Sequence, residues 1–208
     1  MPNIEQAQTN LVQVEQLIQQ AQYPQAIELL EQIAPIFEAA EKWEEYVQCL
    51  NNWSKSLRFT GKLDLGTEKA EKAVQICLEK WGEHNEDLAN SYNNLGRSYT
   101  AKGNYDQAIA YHQQALTIYL ATVGELHYDI AITYDCLGTC YFGKGNYDQA
   151  IIYHQQALPI CLATLGEQHR TAALIYSNLA NAYFNKSAFD QAIIYYQQSL
   201  TISLVTLG

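Results

Sequence analysis

The chain has 208 residues, a formal net charge of −10 and a pI of about 4.8. With only 12 lysines and arginines it lacks the basic surface that attracts phosphate backbones and anionic membranes, so we expect neither nucleic acid nor membrane as a partner. Hydrophobic residues make up 48% of the sequence, which predicts a folded chain and excludes extensive disorder.

The five cysteines are odd in number and form no CxxC pair. This usage is typical of free thiols in a reducing compartment. The first residues form neither a basic nor an apolar leader, and no apolar run approaches the length that spans a membrane. Together these features predict a cytoplasmic protein.

The segment 1–42 is predicted to form one divergent pair of helices. Leu11, Val14 and Ile18 recur at helical spacing and form one apolar face. The stretch that begins at Tyr23 matches the stretch that begins at Tyr105, which belongs to a clearer repeat further along the chain. We therefore expect the segment 1–42 to be a degenerate copy of that repeat.

The rest of the chain repeats with a fixed period. Tyr92, in the motif Tyr-Asn-Asn-Leu-Gly, returns as Tyr134 and again, at the same spacing, as Tyr176. A weaker copy lies one period upstream, where Trp53 stands in the position of Leu95. A fixed period of this length is typical of stacked helical repeats. The predicted repeats are residues 43–84, 85–126, 127–168 and 169–208, which form a single array with the segment 1–42.

Each repeat predicts two helices separated by a turn. Between Ala89 and Tyr99, apolar residues recur at steps of three and four, which marks one helical face. Gly103 then ends the first helix, and Ala108 opens the apolar face of the second. One pair cannot bury both of its faces, whereas stacked pairs can. The sequence therefore predicts an all-α fold, a right-handed α-solenoid of about five antiparallel helix pairs.

The run Tyr92-x-x-Leu95-Gly96-x-x-Tyr99 resembles the tetratricopeptide-repeat (TPR) signature. The 42-residue period and the Gly-Glu-x-His linkers resemble the TPR domain of kinesin light chains and of many bacterial relatives. This resemblance implies a TPR superhelix that binds protein or peptide ligands. In similar bacterial proteins such arrays often precede a caspase-like or a nucleotide-binding signalling domain. Because the chain ends where another linker is expected, we expect it to be a fragment of a longer protein.

The histidines do not suit a metal site. His127 and His169 lie in equivalent linkers, and His112 and His154 lie at equivalent positions of second helices. Members of each pair are one repeat apart, so they cannot share one tetrahedral ion. We expect helix capping from the linker histidines and packing from the other two, with no metal ion and no other cofactor.

The remaining candidates for chemistry have structural explanations. Cys136 and Cys140 lie four positions apart on one predicted helix and are expected to be small packing residues. Pro35 and Pro159 fall inside predicted helices, where each predicts a bend. The sequence contains no Gly-rich phosphate loop, nucleophile elbow or paired-carboxylate motif. We therefore predict no catalytic residues and no enzymatic activity.

Helical geometry places a polar stripe opposite the packed face of each first helix. The resemblance to TPR arrays implies that first helices line the concave side, so this stripe is predicted to line a peptide-binding groove. Asparagine recurs at one position of the stripe, where amides could hold an extended backbone or simply suit a polar face. The predicted groove residues are Asn52, Lys55, Arg58, Asn90, Asn93, Asn94, Arg97, Ile132, Asp135, Thr139, Phe142, Leu174, Asn178, Asn181 and Phe184.

Basic residues cluster at one end of the predicted groove. Lys55, Arg58 and Arg97 lie there, while Ile132 and Leu174 lie towards the other end. This distribution predicts a short peptide ligand with an acidic residue or a C-terminal carboxylate at the first end and an apolar side chain at the second.

The leading prediction is a non-catalytic scaffold for protein–protein interaction that binds an extended peptide or partner segment. Two alternatives stay open. The array could be a structural spacer or a self-association module with an idle groove. It could also be the sensor part of a larger signalling ATPase or protease.

Overall fold

The computed structural model describes residues 3–207, with side chains placed for residues 3–205. Three residues lie outside the described part of the chain: Met1 and Pro2, which begin the segment 1–42, and Gly208, which ends the last predicted repeat. The described chain forms ten α-helices, one pair in each predicted repeat, so the predicted all-α fold of helix pairs is confirmed. The helices are α1 (Ile4–Gln19), α2 (Tyr23–Ala39), α3 (Trp43–Phe59), α4 (Leu63–Trp81), α5 (Glu86–Ala101), α6 (Tyr105–Thr122), α7 (Tyr128–Gly143), α8 (Tyr147–Leu165), α9 (Arg170–Asn185) and α10 (Phe189–Leu207).

The turn inside each pair closes with a residue in the left-handed region. After α5, Gly103 has a φ of 77°, and the backbone N–H of Asn104 donates to the carbonyl of Tyr99 at 2.9 Å. This hydrogen bond satisfies a carbonyl that the helix end leaves open. Ser187 occupies the equivalent place after α9 with a φ of 62°, where a side chain costs more than glycine does.

The linker histidines lie at the starts of α7 and α9. His127 Nδ1 accepts the backbone N–H of Asp129 at 3.4 Å, and His169 Nδ1 accepts that of Thr171 at 3.2 Å. Each ring thus satisfies one of the open donors at a helix start. The capping predicted for these two histidines is confirmed.

The helices group into two compact units, unit 1 with α1–α5 and unit 2 with α6–α10, which divide between Asn104 and Tyr105. In unit 1 every helix packs on the next, and the first helices α1, α3 and α5 also contact one another in order. In unit 2 every helix again packs on the next, and α7 contacts α9. Whether the two units form one array, as the repeat predicts, stays a prediction.

In unit 1, small and aliphatic residues fill the core and lysines cover its aromatic edge. Ala70 and Ala73 of α4 are fully buried. On the same helix, the Lys69 ammonium lies 4.9 Å from the ring centroid of Trp53, which is within the range of a cation–π interaction. Trp53 replaces the leucine of other repeats, so the lysine covers the larger ring.

In unit 2, stacked tyrosines take the place of those lysine contacts. Tyr141 stacks on Tyr153 with ring centroids 5.3 Å apart, and Tyr183 stacks on Tyr195 at 5.5 Å. Alanines such as Ala157 are fully buried beside them and let the helices approach closely. These tyrosines therefore pack between neighbouring helices of unit 2.

One type of ion pair recurs along the chain. It joins the start of the second helix of one repeat to the end of the first helix of the following repeat. In unit 2, Lys144 pairs with Asp106 at 2.5 Å, and Lys186 pairs with Asp148. In unit 1, Lys102 pairs with Asp64 at 2.7 Å, and its hydrogen bond lowers the pKa of that exposed carboxyl. Exposed pairs of this kind add little stability, so their regularity reflects the repeat geometry more than an energetic need.

Neither proline interrupts its helix. Both α2 and α8 continue as single helices through Pro35 and Pro159. The bend predicted at these residues stays a prediction. None of the described helices combines the length and the apolar character needed to cross a bilayer.

Replacing Gly138 with alanine tests the close packing of α7 on α8. A Cβ there would lie 2.6 Å from Cε1 of the buried His154 ring, so that ring must move. A Gly-to-Ala change inside a helix normally adds about 1 kcal/mol of stability. Here we expect overpacking to outweigh that gain, with a net loss of about 1 kcal/mol and a Tm lower by about 3 °C.

Thermal unfolding followed by circular dichroism measures this change. Gln156→Ala, on the exposed face of α8, is the control and should leave the Tm within about 2 °C. A Tm of Gly138→Ala above that of the wild type would show that the contact between glycine and histidine does not constrain the packing.

Candidate functional site

A cleft of about 600 Å³ lies on the face of unit 1 that α3 and α5 form. Three predicted groove residues, Asn52, Asn90 and Asn94, line it together. This volume falls within the range of small-ligand sites in proteins. We call it the unit 1 cleft, and its lining residues are Glu44, Glu45, Val47, Gln48, Asn51, Asn52, Asp87, Asn90 and Asn94.

The amides of the unit 1 cleft leave some of their hydrogen-bonding capacity unused. Asn94 Nδ2 donates to the backbone carbonyl of Asn90 at 3.2 Å, and Asn51 Nδ2 donates to Ser91 Oγ at 3.1 Å. The Oδ1 atom of Asn51 and the Nδ2 atom of Asn52 are buried and have no hydrogen-bond partner among the described residues. Such orphaned polar atoms are rare in folded proteins and call for an explanation.

Carboxylates line the end of the cleft where α3 and α5 begin. Glu45 accepts a hydrogen bond from Gln8 of α1 at 3.2 Å. Burial raises the pKa of Asp87, and the nearby charges of Glu44 and Glu86 raise it further. A carboxyl whose charge is disfavoured in this way would gain from a positive group placed beside it.

Sequence reasoning missed these carboxylates, although a signal for them was present. Glu45 and Asp87 each lie seven positions, about two helical turns, before the predicted groove residues Asn52 and Asn94, so they continue the same helical stripe. Glu45 and Asp87 are also separated by one full period of the repeat, as equivalent positions should be. Extending the stripe to the first turn of each helix would have found them.

The basic residues of the predicted groove lie elsewhere on unit 1. Lys55 and Arg58 are in the second half of α3 and Arg97 in the second half of α5, and all three are half-buried. None of them lines the unit 1 cleft. The Arg58 guanidinium lies 5.3 Å from the ring centroid of Phe59, which itself stacks on Tyr23.

Asn93 is placed differently from its neighbours in the predicted stripe. It is 7% exposed, whereas Asn90 and Asn94 are only half-buried. One step of rotation around α5 separates Asn93 from Asn94, which is enough to turn a side chain from the polar face towards the core.

In unit 2, two predicted groove residues meet in a hydrogen-bonded network. Asp135 Oδ1 accepts a hydrogen bond from Asn178 Nδ2 at 3.0 Å and one from His154 Nδ1 at 2.8 Å. His154 is 1% exposed, which confirms the packing role predicted for it, and its hydrogen bond to Asp135 is a contact that the sequence did not indicate. This network links α7, α8 and α9, and it fixes the orientation of the Asn178 amide.

The other predicted residues of unit 2 divide between engaged and exposed side chains. The Tyr196 hydroxyl donates to Asn181 Oδ1, and the Thr139 hydroxyl donates to the carbonyl of Asp135. Ile132 is half-buried, whereas Leu174 and Phe184 are more than half exposed. The rings of Phe142 and Phe184 contact Tyr147 and Phe189, both at 5.4 Å between centroids.

The cysteines and acidic groups of the described chain do not assemble into a metal site. Within residues 3–207, no three His, Cys, Asp or Glu side chains lie close enough together to hold an ion. Four of the five free thiols are buried, and burial raises the pKa of Cys49 to about 12 and that of Cys77 to about 11. Thiols of this kind are poor nucleophiles at neutral pH.

Several solved structures share the fold of the chain at low sequence identity. A Podosopora anserina protein assigned as a kinesin light chain, with nearly identical TPR-like repeats, is 21% identical with a TM-score of 0.74, and the match covers 99% of both chains. BtubC (BKLC) from P. vanneervenii is 17% identical with a TM-score of 0.71, over 97% of this chain and 92% of that one.

A third structure is a Rap protein complexed with competence and sporulation factor. It is 15% identical with a TM-score of 0.71, and the match covers 98% of this chain and 65% of that protein. No curated protein sequence matches the chain.

The sequence profile described as Tetratricopeptide repeat matches residues 47–121 and 129–204, which is well over half of the chain. The Podosopora anserina structure with TPR-like repeats shares the fold of helix pairs described above. The chain therefore belongs to the tetratricopeptide-repeat family.

Proposed function

We propose that this protein is a non-catalytic scaffold that binds an extended peptide or partner segment along the polar faces of its first helices. The observation that carries the proposal is the unit 1 cleft, where amide side chains of α3 and α5 line about 600 Å³ of space. An amide offers a donor and an acceptor, which is what a peptide backbone requires at each residue.

The unsatisfied atoms of the cleft support this function. Asn51 and Asn52 both line the cleft, and each carries a buried polar atom without a hydrogen-bond partner, so a peptide that draws either amide towards the cleft would satisfy that atom. A ligand that satisfies both atoms removes a desolvation penalty that the free protein carries. TPR proteins serve as protein-interaction scaffolds, and the Rap structure, a complex with competence and sporulation factor, offers a precedent on the same fold.

The remaining predicted residues suggest two further contacts, one in each unit. In unit 1 we assign an acidic residue of the peptide to Lys55, Arg58 and Arg97. In unit 2 the exposed Leu174 and Phe184 would take apolar side chains of a ligand. The free thiols support the cytoplasmic location that the sequence predicts.

The Asn94→Ala substitution tests the peptide-binding face. Random dodecapeptides displayed on phage would be selected on the immobilised chain, and the affinity of enriched peptides measured by fluorescence anisotropy. We expect Asn94→Ala to weaken binding about tenfold, the effect of losing roughly 1.4 kcal/mol of hydrogen bonding. The Asn94 side chain donates to a carbonyl of its own helix, so its loss should leave the fold intact.

Gln25→Ala removes an exposed amide from α2, away from the cleft, and serves as the matched control. It should bind the same peptides as tightly as the wild type does. Equal affinity of Asn94→Ala and the wild type, or no enriched peptides at all, would contradict the proposed function.

Charge reversal at Arg97 tests the assignment of the acidic residue. Enriched peptides that contain Asp or Glu should bind Arg97→Glu at least tenfold more weakly, because attraction becomes repulsion at a half-buried position. Lys62→Glu, an exposed change of equal charge in unit 1, is the control and should have little effect. An unchanged affinity for Arg97→Glu would show that acidic residues of the ligand bind elsewhere.

A second candidate function, self-association, is favoured by the exposed apolar face of α10. Ile193 is equivalent to Ile151, which lies one repeat earlier and is buried in unit 2. Apolar patches of this kind mark interaction surfaces in soluble proteins. The exposed apolar side chains of α10 are Phe189, Ile193, Ile194, Tyr196, Leu200, Leu204 and Val205.

The double substitution Leu200→Gln, Leu204→Gln tests self-association through α10. In light scattering coupled to size exclusion, we expect the wild-type mass to rise with concentration above 23.5 kDa, and the variant to stay near that mass. Leu126→Gln, at an exposed linker position, is the control and should behave like the wild type. A wild-type mass that is independent of concentration would exclude this function.

A further inference from the structure

We propose that the unit 1 cleft binds the cationic side chain of an arginine or lysine in the peptide that this face holds. This inference rests on the proposed function and deepens it, because it names the chemistry of one ligand residue. This cationic ligand residue is distinct from the acidic ligand residue assigned above, which would contact the basic side chains in the second halves of α3 and α5.

Charge complementarity is the first argument. Three of the nine residues that line the cleft are carboxylates, Glu44, Glu45 and Asp87, and none of the nine is Lys, Arg or His. Glu45 is hydrogen-bonded only to a neutral amide, and no ion pair is formed by Glu44 or Asp87 within the described part of the chain. A cationic ligand would supply the counter-charge that this end of the cleft lacks.

The hydrogen-bonding capacity of the cleft is the second argument, and it is independent of charge. The orphaned acceptor Asn51 Oδ1 belongs to a lining residue whose amide is oriented by Ser91. A guanidinium carries five N–H donors in a planar fork and can reach several separated acceptors at once. The amide oxygens and carboxylates of the cleft present such a set of separated acceptors.

The spread of the carboxylates also distinguishes a cationic side chain from a metal ion. Metal ions need at least three ligands converging within a short radius, and no group of that kind exists among residues 3–207. An extended cation with several donors tolerates acceptors that lie further apart. The separation between the carboxylates therefore disfavours a metal-ion site and favours a cationic side chain of the ligand.

The arrangement of charge along α3 and α5 makes both ligand residues compatible with one peptide. Each of these helices has acidic residues in its first turn and a basic residue in its second half: Glu44 and Glu45 with Lys55, and Asp87 with Arg97. The cleft lies at the acidic end. A segment with a basic residue and an acidic residue a few positions apart would match both ends.

The test uses a defined peptide pair on the full chain. Acetyl-Gly-Ala-Arg-Ala-Gly-amide is compared by amide NMR titration with the same peptide containing citrulline, the uncharged counterpart of arginine. We expect the arginine peptide to shift the amide signals of residues 44–52 and 87–94 and to bind at least tenfold more tightly than the citrulline peptide. Raising NaCl from about 50 to about 500 mM should weaken the arginine peptide selectively.

Protein variants provide the second arm. Asp87→Asn should reduce affinity for the arginine peptide at least fivefold, while leaving the citrulline peptide unaffected. Glu28→Gln, an exposed loss of the same charge on α2, is the matched control and should change neither affinity. Because burial already disfavours the charge of Asp87, its replacement should not lower the Tm, which separates a binding role from a structural one.

Three outcomes would overturn the inference. Equal binding of both peptides at the cleft would show that it reads the backbone alone, and the proposed function would stand without a cationic residue. Spermidine binding as tightly as the arginine peptide would show a site for free amines. If neither pentapeptide nor any selected dodecapeptide shifts these amides, the proposed function fails together with the inference.

Discussion

Close approach between neighbouring helices is the constraint on which both units depend. Ala70 in unit 1 and Ala150 in unit 2 are fully buried where one helix meets the next, and Gly138 lies directly against the His154 ring. Positions without space accept only small residues, so they hold each helix in one rotation about its axis. That rotation decides which side chains face outward. The residues of the polar stripe can therefore vary in chemistry, because the packed face on the opposite side already fixes the rotation of the helix.

Much of the fold follows from local signals that agree with one another. Gly103 and Gly145 end first helices with positive φ angles, and His127 and His169 begin the next ones by capping, so the 42-residue period translates directly into helix pairs. The grouping of the helices into two units could not be foreseen, because the repeat runs without a break through Asn104 and Tyr105. Grouping depends on contacts between distant residues, which periodicity does not report.

The candidate site was predictable only in part. The amides Asn52, Asn90 and Asn94 follow from helical spacing, and the cleft brings them together. The hydrogen bond between Asp135 and His154 joins residues on different helices, and neither residue type signals the other in the sequence. The orphaned atoms of Asn51 and Asn52 depend on which groups of neighbouring helices lie within hydrogen-bonding distance, and a pattern of hydrophobic residues does not report this.

The buried thiols can report how often each unit opens. Cys49 and Cys77 lie inside unit 1, whereas Cys140 and Cys161 lie inside unit 2, and Cys136 is only half-buried. A thiol-modifying reagent can reach a buried sulfur only when the surrounding helices separate, so its rate of modification measures the frequency of that motion. Mass spectrometry of partly modified protein would assign those opening rates to separate halves of the chain without any engineered label.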